Sequence, residues 1–351
     1  MRPLSVLDLS FVTSGASASR ALHNTLDLAK LADRLGYVRY WLAEHHNLAS
    51  VASPAPEIMI GQVAAITQRM RVGAGGVMLP NHAPLIVAER FKMLEALFPG
   101  RIDLGLGRAP GTDPVTAYAL RQRQDPRSGD EFLERLQELM LLETNGFPAG
   151  HPFRRVKAMP SDVTLPPIWL LGSSDYSAQL AASIGVGFAF AHHFASHDAV
   201  DAMLKYRRQF RPSAGQPTPY AILTVAAISA DTTNEAERLA ASADLSLVRR
   251  ERGEYLALPS PDEAQAYPFT PHDLAAIRHN RRRLFVGTPE TLLDRLAPLI
   301  EATQADEVMI MSAIYDHTAR KRSYELLAQA FGIVPGLTLP APVQPSPAPV
   351  H

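Results

Sequence analysis

Apolar residues fall along this chain in two alternating patterns. A short, continuous apolar run is followed by a turn, and then by a longer stretch in which apolar residues recur every three or four positions. The runs cover 4–9 ("LSVLDL"), 37–44 ("YVRYWLAE"), 71–79 ("RVGAGGVML"), 101–107 ("RIDLGLG"), 166–172 ("PPIWLLG"), 186–194 ("VGFAFAHHF"), 219–230 ("PYAILTVAAISA") and 306–312 ("DEVMIMS"). The periodic stretches between them predict helices. In 19–36, Leu22, Leu26, Ala29 and Leu35 share one face, Ser19 is a plausible cap and Gly36 a plausible stop. The helix expected from "PAPEIMIGQVAAITQRM" carries its prolines in the first turn, where they are tolerated.

Strands that are apolar throughout bury both faces, as in a parallel sheet covered by helices. Strict alternation of strand and helix argues an α/β fold. Eight such units predict a (β/α)8 TIM barrel more readily than an open doubly wound sheet. No strand is followed by a dinucleotide-binding glycine fingerprint opening a helix; the glycines of "GAGGVM" lie inside a strand. The expectation is one barrel domain over 1–334. An insertion at 253–283 follows the seventh strand, where it would sit over the active-site face as a lid. The Pro-rich tail 335–351 is expected to be extended or disordered.

Composition narrows the function classes. The chain has 351 residues, a formal net charge of -1 and no long basic run, so nothing points to nucleic acid. It has no cysteine, which excludes disulfides, thiolate metal sites and a Cys nucleophile. No segment approaches the length of a membrane span and no signal-like apolar core follows the N-terminus, so the expected location is cytoplasmic.

In a barrel, chemistry sits where the strands end. The second predicted strand ends in Glu44, His45 and His46. The third contains Gly75 and Gly76, the fourth ends at Gly107-Arg108, the fifth at Ser173-Ser174 with Ser177 beyond, and the sixth at His192-His193. This set is poor in carboxylates, against a glycosidase. Neighbouring residues of a strand point to opposite faces, so at most one histidine of each pair faces inward, a weak basis for a metal site. Ser173, Ser174 and the free N–H groups of the helix after them would suit a phosphate, with Arg108 adding charge-assisted bonds. Ordinary N-capping explains the serines equally well. With Gly75 and Gly76 leaving bare backbone for a flat ring, a phosphorylated planar cofactor accounts for the set better than any of these parts alone.

"YWLAEHH", then "RVGAGGVMLPNHAPLIVAERFKMLEALFPGRIDLGLGRAPG", resembles the bacterial luciferase-like flavin monooxygenases, and "GSSDYSAQLAASIGVGFAFAHHF" and "VGTPETLLDRL" extend the resemblance over most of the chain. It implies a (β/α)8 barrel binding reduced FMN, or in some branches a deazaflavin, at the ends of the strands. It implies that a peroxyflavin formed with O2 oxygenates a small-molecule substrate, and that a separate flavin reductase supplies the reduced flavin. His45 matches a histidine beside the reactive flavin edge, a role suited to a side chain titrating near neutrality. Gly75-Gly76 matches a segment with a non-proline cis peptide against the ring. Arg108, Ser174 and Ser177 match phosphate-contacting positions, and His192 or His193 falls beside the ring. Glu44 is grouped with the cofactor site and is expected to orient a neighbour or a strand-end N–H. Ser173 stands where luciferase has Glu and Gly107 where it has Cys, departures that argue against light emission. The same fold supports a deazaflavin-dependent hydride-transfer enzyme and a flavin-binding protein without turnover. Homodimerisation through the second and third helices is also implied; Ile58, Met59, Val63, Phe91, Leu94 and Leu97 fit such a face, and packing against the barrel explains them equally well.

Overall fold

The computed structural model describes residues 2–121, 128–195 and 197–334. The expectation of a disordered tail at 335–351 lies outside the described residues. The elements run β1 (Leu4–Asp8), α1 (Ala18–Leu35), β2 (Arg39–Leu42), α2 (Pro56–Ile66), β3 (Arg71–Ala74), β4 (Val77–Met78), α3 (Pro84–Leu97), β5 (Ile102–Gly107), α4 (Pro114–Arg121), α5 (Ser128–Thr144), β6 (Ile168–Gly172), α6 (Asp175–Ile184), β7 (Gly187–Ala191), α7 (Ala199–Gln209), β8 (Ala221–Ser229), α8 (Thr233–Glu251), α9 (Pro261–Ala266), α10 (Pro271–Asn280), β9 (Leu284–Gly287), α11 (Pro289–Thr303), β10 (Glu307–Met311) and α12 (His317–Ala330). Around the sheet the order is β10-β1-β2-β3-β5-β6-β7-β8, all parallel, and β8 pairs with β10 to close the ring. This is the predicted (β/α)8 barrel.

Two details of the sheet differ from the sequence reading. The third predicted strand is broken after Ala74: a cis peptide joins Gly75 to Gly76, and the chain resumes as β4 beside Leu106 and Gly107. A ninth segment, β9, was not anticipated. It pairs with Ala226–Ser229 of β8, and since Ala226 also pairs with Met311 of β10, β9 lies on the side of β8 that β7 occupies lower down.

The strand pleat sorts side chains into two cores. Val6, Tyr40, Leu42, Val72, Leu104, Leu170, Phe188, Leu223 and Ile310 face outward into the helical layer. Leu7, Trp41, Ala43, Trp169, Ala189, Ile222 and Met309 face inward and fill the barrel. At the N-terminal end of the strands the inward layer is charged. The Arg39 guanidinium on β2 meets Asp103 of β5 and, at 3.0 Å, Glu307 of β10. Asp103 also accepts from Arg71 (2.8 Å) and from the Trp41 indole (3.1 Å). Glu307 accepts from Ser5 and from the Tyr220 hydroxyl at 3.0 Å. Burial disfavours the Arg39 charge, but the two carboxylates outweigh that and raise its pKa.

The 253–283 segment is not a structureless insertion. Ser260 and Thr270 cap two short helices, each with a proline in its first turn and a reciprocal acid, Glu263 or Asp273, completing a capping box. Leu258 is stitched to the loop after β1, donating to Val12 O (2.9 Å) and accepting from Ser14 N (2.8 Å). The cap of α1 is Ser17 and not Ser19. Gly36 ends that helix in the left-handed conformation, as expected.

Removing one partner of a buried charge cluster leaves the others uncompensated. Arg39→Ala is expected to lower the unfolding free energy by about 3–5 kcal/mol, read as a lower urea midpoint at unchanged slope. A loss within ±0.5 kcal/mol, the roughly neutral range of surface substitutions, would show that the cluster does not hold the barrel.

Candidate active site

Past the last ladder bond of β2, the inward positions Trp41 and Ala43 lead to His45; Ser173 follows β6 in a bend, and His193 lies in the turn after β7, where His192 N–H donates to Phe190 O (3.1 Å). His45 and His193 thereby come from β2 and β7 to one electrostatic neighbourhood. His45 is half-buried, and its Nδ1 is buried without a partner among the described residues. Burial pushes its pKa down to about 4, with the charges of His46 and Arg250 acting in the same direction against Glu44. This corrects the expectation of a group titrating near neutrality: at pH 7 the imidazole is neutral because too little water or counter-charge supports the cation. His193 is likewise pushed down to about 4 by burial, and its Nδ1 lies 3.4 Å from Thr224 O. His192 sits apart, its ring 6.3 Å from Phe285 and its pKa lowered by burial and by Arg283. Of the two histidines it is His193 that faces His45.

Glu44 is fully buried and its carboxylate is occupied by the protein. Oε1 is 2.8 Å from His46 Nε2 and accepts from Asn81 (3.2 Å), Oε2 accepts from Met78 N–H (2.8 Å), and His82 Nε2 lies 3.0 Å from both oxygens. Burial raises its pKa, but the bonds from His82, His46 and Met78 reverse the sign and keep it below the ordinary value. The sequence reading groups Glu44 with the cofactor site and expects it to orient a neighbour or a strand-end N–H; its bond to Met78 N–H ties the end of β2 to β4. His82 and Asn81 escaped the sequence reading, and no local signal marks them, because their link to Glu44 spans a whole strand–helix unit.

Gly75 and Gly76 form a wall of bare backbone. A Cβ on Gly75 would stand 2.8 Å from Leu7 Cδ1 and 3.0 Å from Trp41 Cβ, and one on Gly76 would stand 2.8 Å from Gly105 O. Backbone excludes a side chain at Gly76, and one at Gly75 would have to displace Leu7. Across the mouth, Ser174 caps α6 in an extended conformation with no side-chain capping bond. Ser177 is buried in the first turn of α6, and Ser173 is half-buried just before it. The Arg108 guanidinium lies 4.7 Å over the Tyr176 ring and is otherwise exposed. Ser174, Ser177, Tyr176 and Arg108 thus gather at one helix N-terminus, where N–H groups and the helix dipole favour an anion. Among the described residues no group of three or more His, Asp or Glu is placed to hold a metal ion, and no helix is long and apolar enough to cross a membrane.

Residues 3–307 match the profile of the luciferase-like monooxygenases. The chain belongs to that family. A luciferase-like monooxygenase of Escherichia coli strain K12 is 44% identical over 324 residues, covering 92% of this chain and 95% of that one. The N-acetyl-S-alkylcysteine monooxygenase of Bacillus subtilis strain 168 is 34% identical over 333 residues, 93% of this chain and 97% of its own. The crystal structure of apo-MsnO8 superimposes with a TM-score of 0.87 at 39% identity, covering 95% of this chain and all of that one.

The two neutral histidines give this luciferase-like barrel an acid liability. Their folded pKa values lie below the ordinary 6.5, so between pH 6.5 and about 4 the unfolded chain binds more protons and stability falls as pH falls. Each contributes on the order of 2–3 kcal/mol across that window. His193→Gln is expected to flatten the loss, measured by chemical unfolding at pH 7, 6, 5 and 4. Parallel curves for the variant and the wild type would contradict the burial of a neutral imidazole.

Proposed function

We propose that this chain is an FMN-dependent monooxygenase that oxygenates a small organic molecule with O2, the reduced flavin arriving from a separate reductase. The observation that carries this reading is the pairing of an uncommitted anion cradle with a bare backbone wall. Ser174 makes no capping bond, and Arg108 has no ion pair among the described residues. Both suit a phosphate at the α6 N-terminus, and the backbone of Gly75 and Gly76, packed against protein where side chains would stand, would be the surface that meets the face of a ring. Ser173 and Ser177 flank the cradle, and His193 lies towards the ring position. Bound reduced flavin supplies the activation of dioxygen.

The chain's own residues set the rest. Among the described residues the buried Nδ1 of His45 has no partner, which leaves it free to meet a bound group. As a neutral imidazole it serves there as hydrogen-bond partner or proton acceptor. Glu44 holds it in place through His46, His82 and Met78. The 253–283 segment, fastened to the loop after β1, covers that side of the mouth and limits water entry.

The proposal extends to the quaternary state. Of the six apolar residues expected at a dimer face, Met59, Val63, Phe91 and Leu94 belong to the chain's own core. Ile58 (66% exposed) and Leu97 (67%) remain outside, joined by Ile86 and Met93. Ile86, Met93 and Leu97 share one face of α3, and the Arg90–Glu57 ion pair fixes α2 beside it. A second copy of the chain is the occupant we assign to this patch.

Anaerobic titration with reduced FMN is expected to show saturable binding in preference to reduced deazaflavin, and turnover to consume O2; tighter deazaflavin binding, or binding without O2 consumption, would select the hydride-transfer or non-catalytic alternative. Arg108→Ala should weaken FMN by about tenfold, the loss of one charge-assisted contact. His45→Ala should leave FMN affinity within about twofold, far less than such a contact is worth, and release more of the consumed O2 as hydrogen peroxide. The assignment of His45 fails if that variant instead abolishes FMN binding. Met93→Glu with Leu97→Glu should convert a dimer to a monomer in sedimentation; a monomeric wild type would refute the assigned partner.

A further inference from the structure

A cleft of about 440 Å³ opens where the loops after β1 and β10 meet the starts of α1 and α12. It shares no residue with the candidate active site. β10 and β1 also stand across the ring from β5 and β6, whose ends carry Arg108 and the α6 cradle. The walls of the cleft are tied together. Tyr315 Oη donates to Ser14 O (2.9 Å) and joins the two loops. His317 Nε2 and Lys321 Nζ each lie 2.9 Å from Asp27 Oδ2 and join the two helices. Ser14 is held from its other side as well, its N–H donating to Leu258 O (2.8 Å) and its hydroxyl to Glu263.

The charges inside are not matched in the same way. Among the described residues the Arg20 side chain makes no hydrogen bond or ion pair, and neither does the amide of Asn24, one turn further along α1. Asp316 caps α12 through Oδ1, which accepts from Ala319 N–H at 2.7 Å, and its carboxylate has no ion pair among the described residues. A guanidinium and a carboxylate thus line one preformed cleft without meeting each other. Held apart in this way, they complement a molecule that carries both signs. The guanidinium fork takes a carboxylate by two parallel N–H···O bonds, and the second oxygen of Asp316 takes an ammonium. A simple anion would have Asp316 as a repulsive neighbour, and a simple cation would have Arg20. The hydroxyls of Thr13 and Thr318 and the Asn24 amide add neutral hydrogen bonds, and the Tyr315 ring gives the cleft an apolar part. We propose that this cleft is a second ligand site, separate from the flavin site, and that it takes a small zwitterion of the α-amino-acid type, with its carboxylate on Arg20 and its ammonium on Asp316. Thr13 and Ser14 also hold Leu258, so an occupant braces the fastening of the 253–283 segment.

Leucine probes the site by calorimetry on the full chain, against isocaproate, which lacks the ammonium, and isoamylamine, which lacks the carboxylate. Wild type is expected to bind leucine saturably and each singly charged analogue about tenfold or more weakly, as loss of one charge-assisted contact predicts. Arg20→Gln should weaken leucine by about tenfold. Arg20→Lys should retain part of the affinity, which separates loss of charge from a folding defect. Asp316→Asn removes the charge but keeps a side chain that caps a helix, and should weaken leucine to a similar degree at an unchanged urea midpoint. On leucine binding, the Ser14 and Leu258 amides should exchange more slowly with deuterium. No saturable leucine binding to wild type overturns the proposal. Equal binding of leucine and isocaproate does so too, because it would reduce the cleft to an anion site. Leucine binding that both charge variants retain, or that leaves exchange at Ser14 and Leu258 unchanged, would put the ligand elsewhere. A tenfold loss of FMN affinity in Arg20→Gln would make the cleft part of the flavin site and refute its separateness.

Discussion

A guanidinium inside a closed barrel is tolerated only where anions meet it from several strands, and here those anions also fix how the strands align. Arg39 on β2 draws in Asp103 from β5 and Glu307 from β10; Arg71 of β3 and Ser5 of β1 join through the same two carboxylates. Shifting any of these strands by one residue would turn a charge into the helical layer. With register fixed at one end, the pleat carries it to the other. The inward positions above the charged layer on β2 are Trp41 and Ala43, then His45. The placement of His45 is therefore inherited from an ion cluster at the far end of the barrel.

Between the two ends lies a division of tasks among adjacent titratable residues. Glu44 faces away from the inward series and binds the backbone and side chains of 78–82, whereas His45 faces in with an unpartnered nitrogen. The carboxylate stays ionised because donors surround it; the imidazole stays neutral because burial disfavours its cation and, among the described residues, no acceptor meets its Nδ1. Burial acts on both, and hydrogen bonding decides the opposite outcomes.

Much of this was legible in the chain because it depends on local pattern. The eight barrel strands stand out as short, mostly apolar runs, and the glycine pair inside the third marks its break. What escaped depends on pairing at a distance or on misleading composition. Leu284–Gly287 is too short, and too close to Arg281–Arg283, to stand out as a strand; only its pairing with β8 makes it one. "SPDE" and "TPHD" were hidden by the prolines around them, although a capping hydroxyl, Pro in the first turn and an acid three residues on is a helix start. The choice between His192 and His193 needed the actual exit direction of β7, and the partners of Glu44 needed the fold. Among the candidate dimer contacts, helical periodicity located an apolar face but could not say which side of it the barrel would cover.

The short strand β9 has a consequence for how such a barrel diversifies. The chain leaves β8, runs through three helices, and rejoins the sheet on β8 itself before starting α11 and the closing strand. The excursion is thus a closed detour whose two ends are anchored on the same rail. Its length and sequence are uncoupled from barrel closure, so segments can be lengthened, shortened or exchanged between α8 and β9 without disturbing the alignment of β10. A protein built this way presents a replaceable cassette above a separately anchored floor, and such a cassette is the natural unit of redesign.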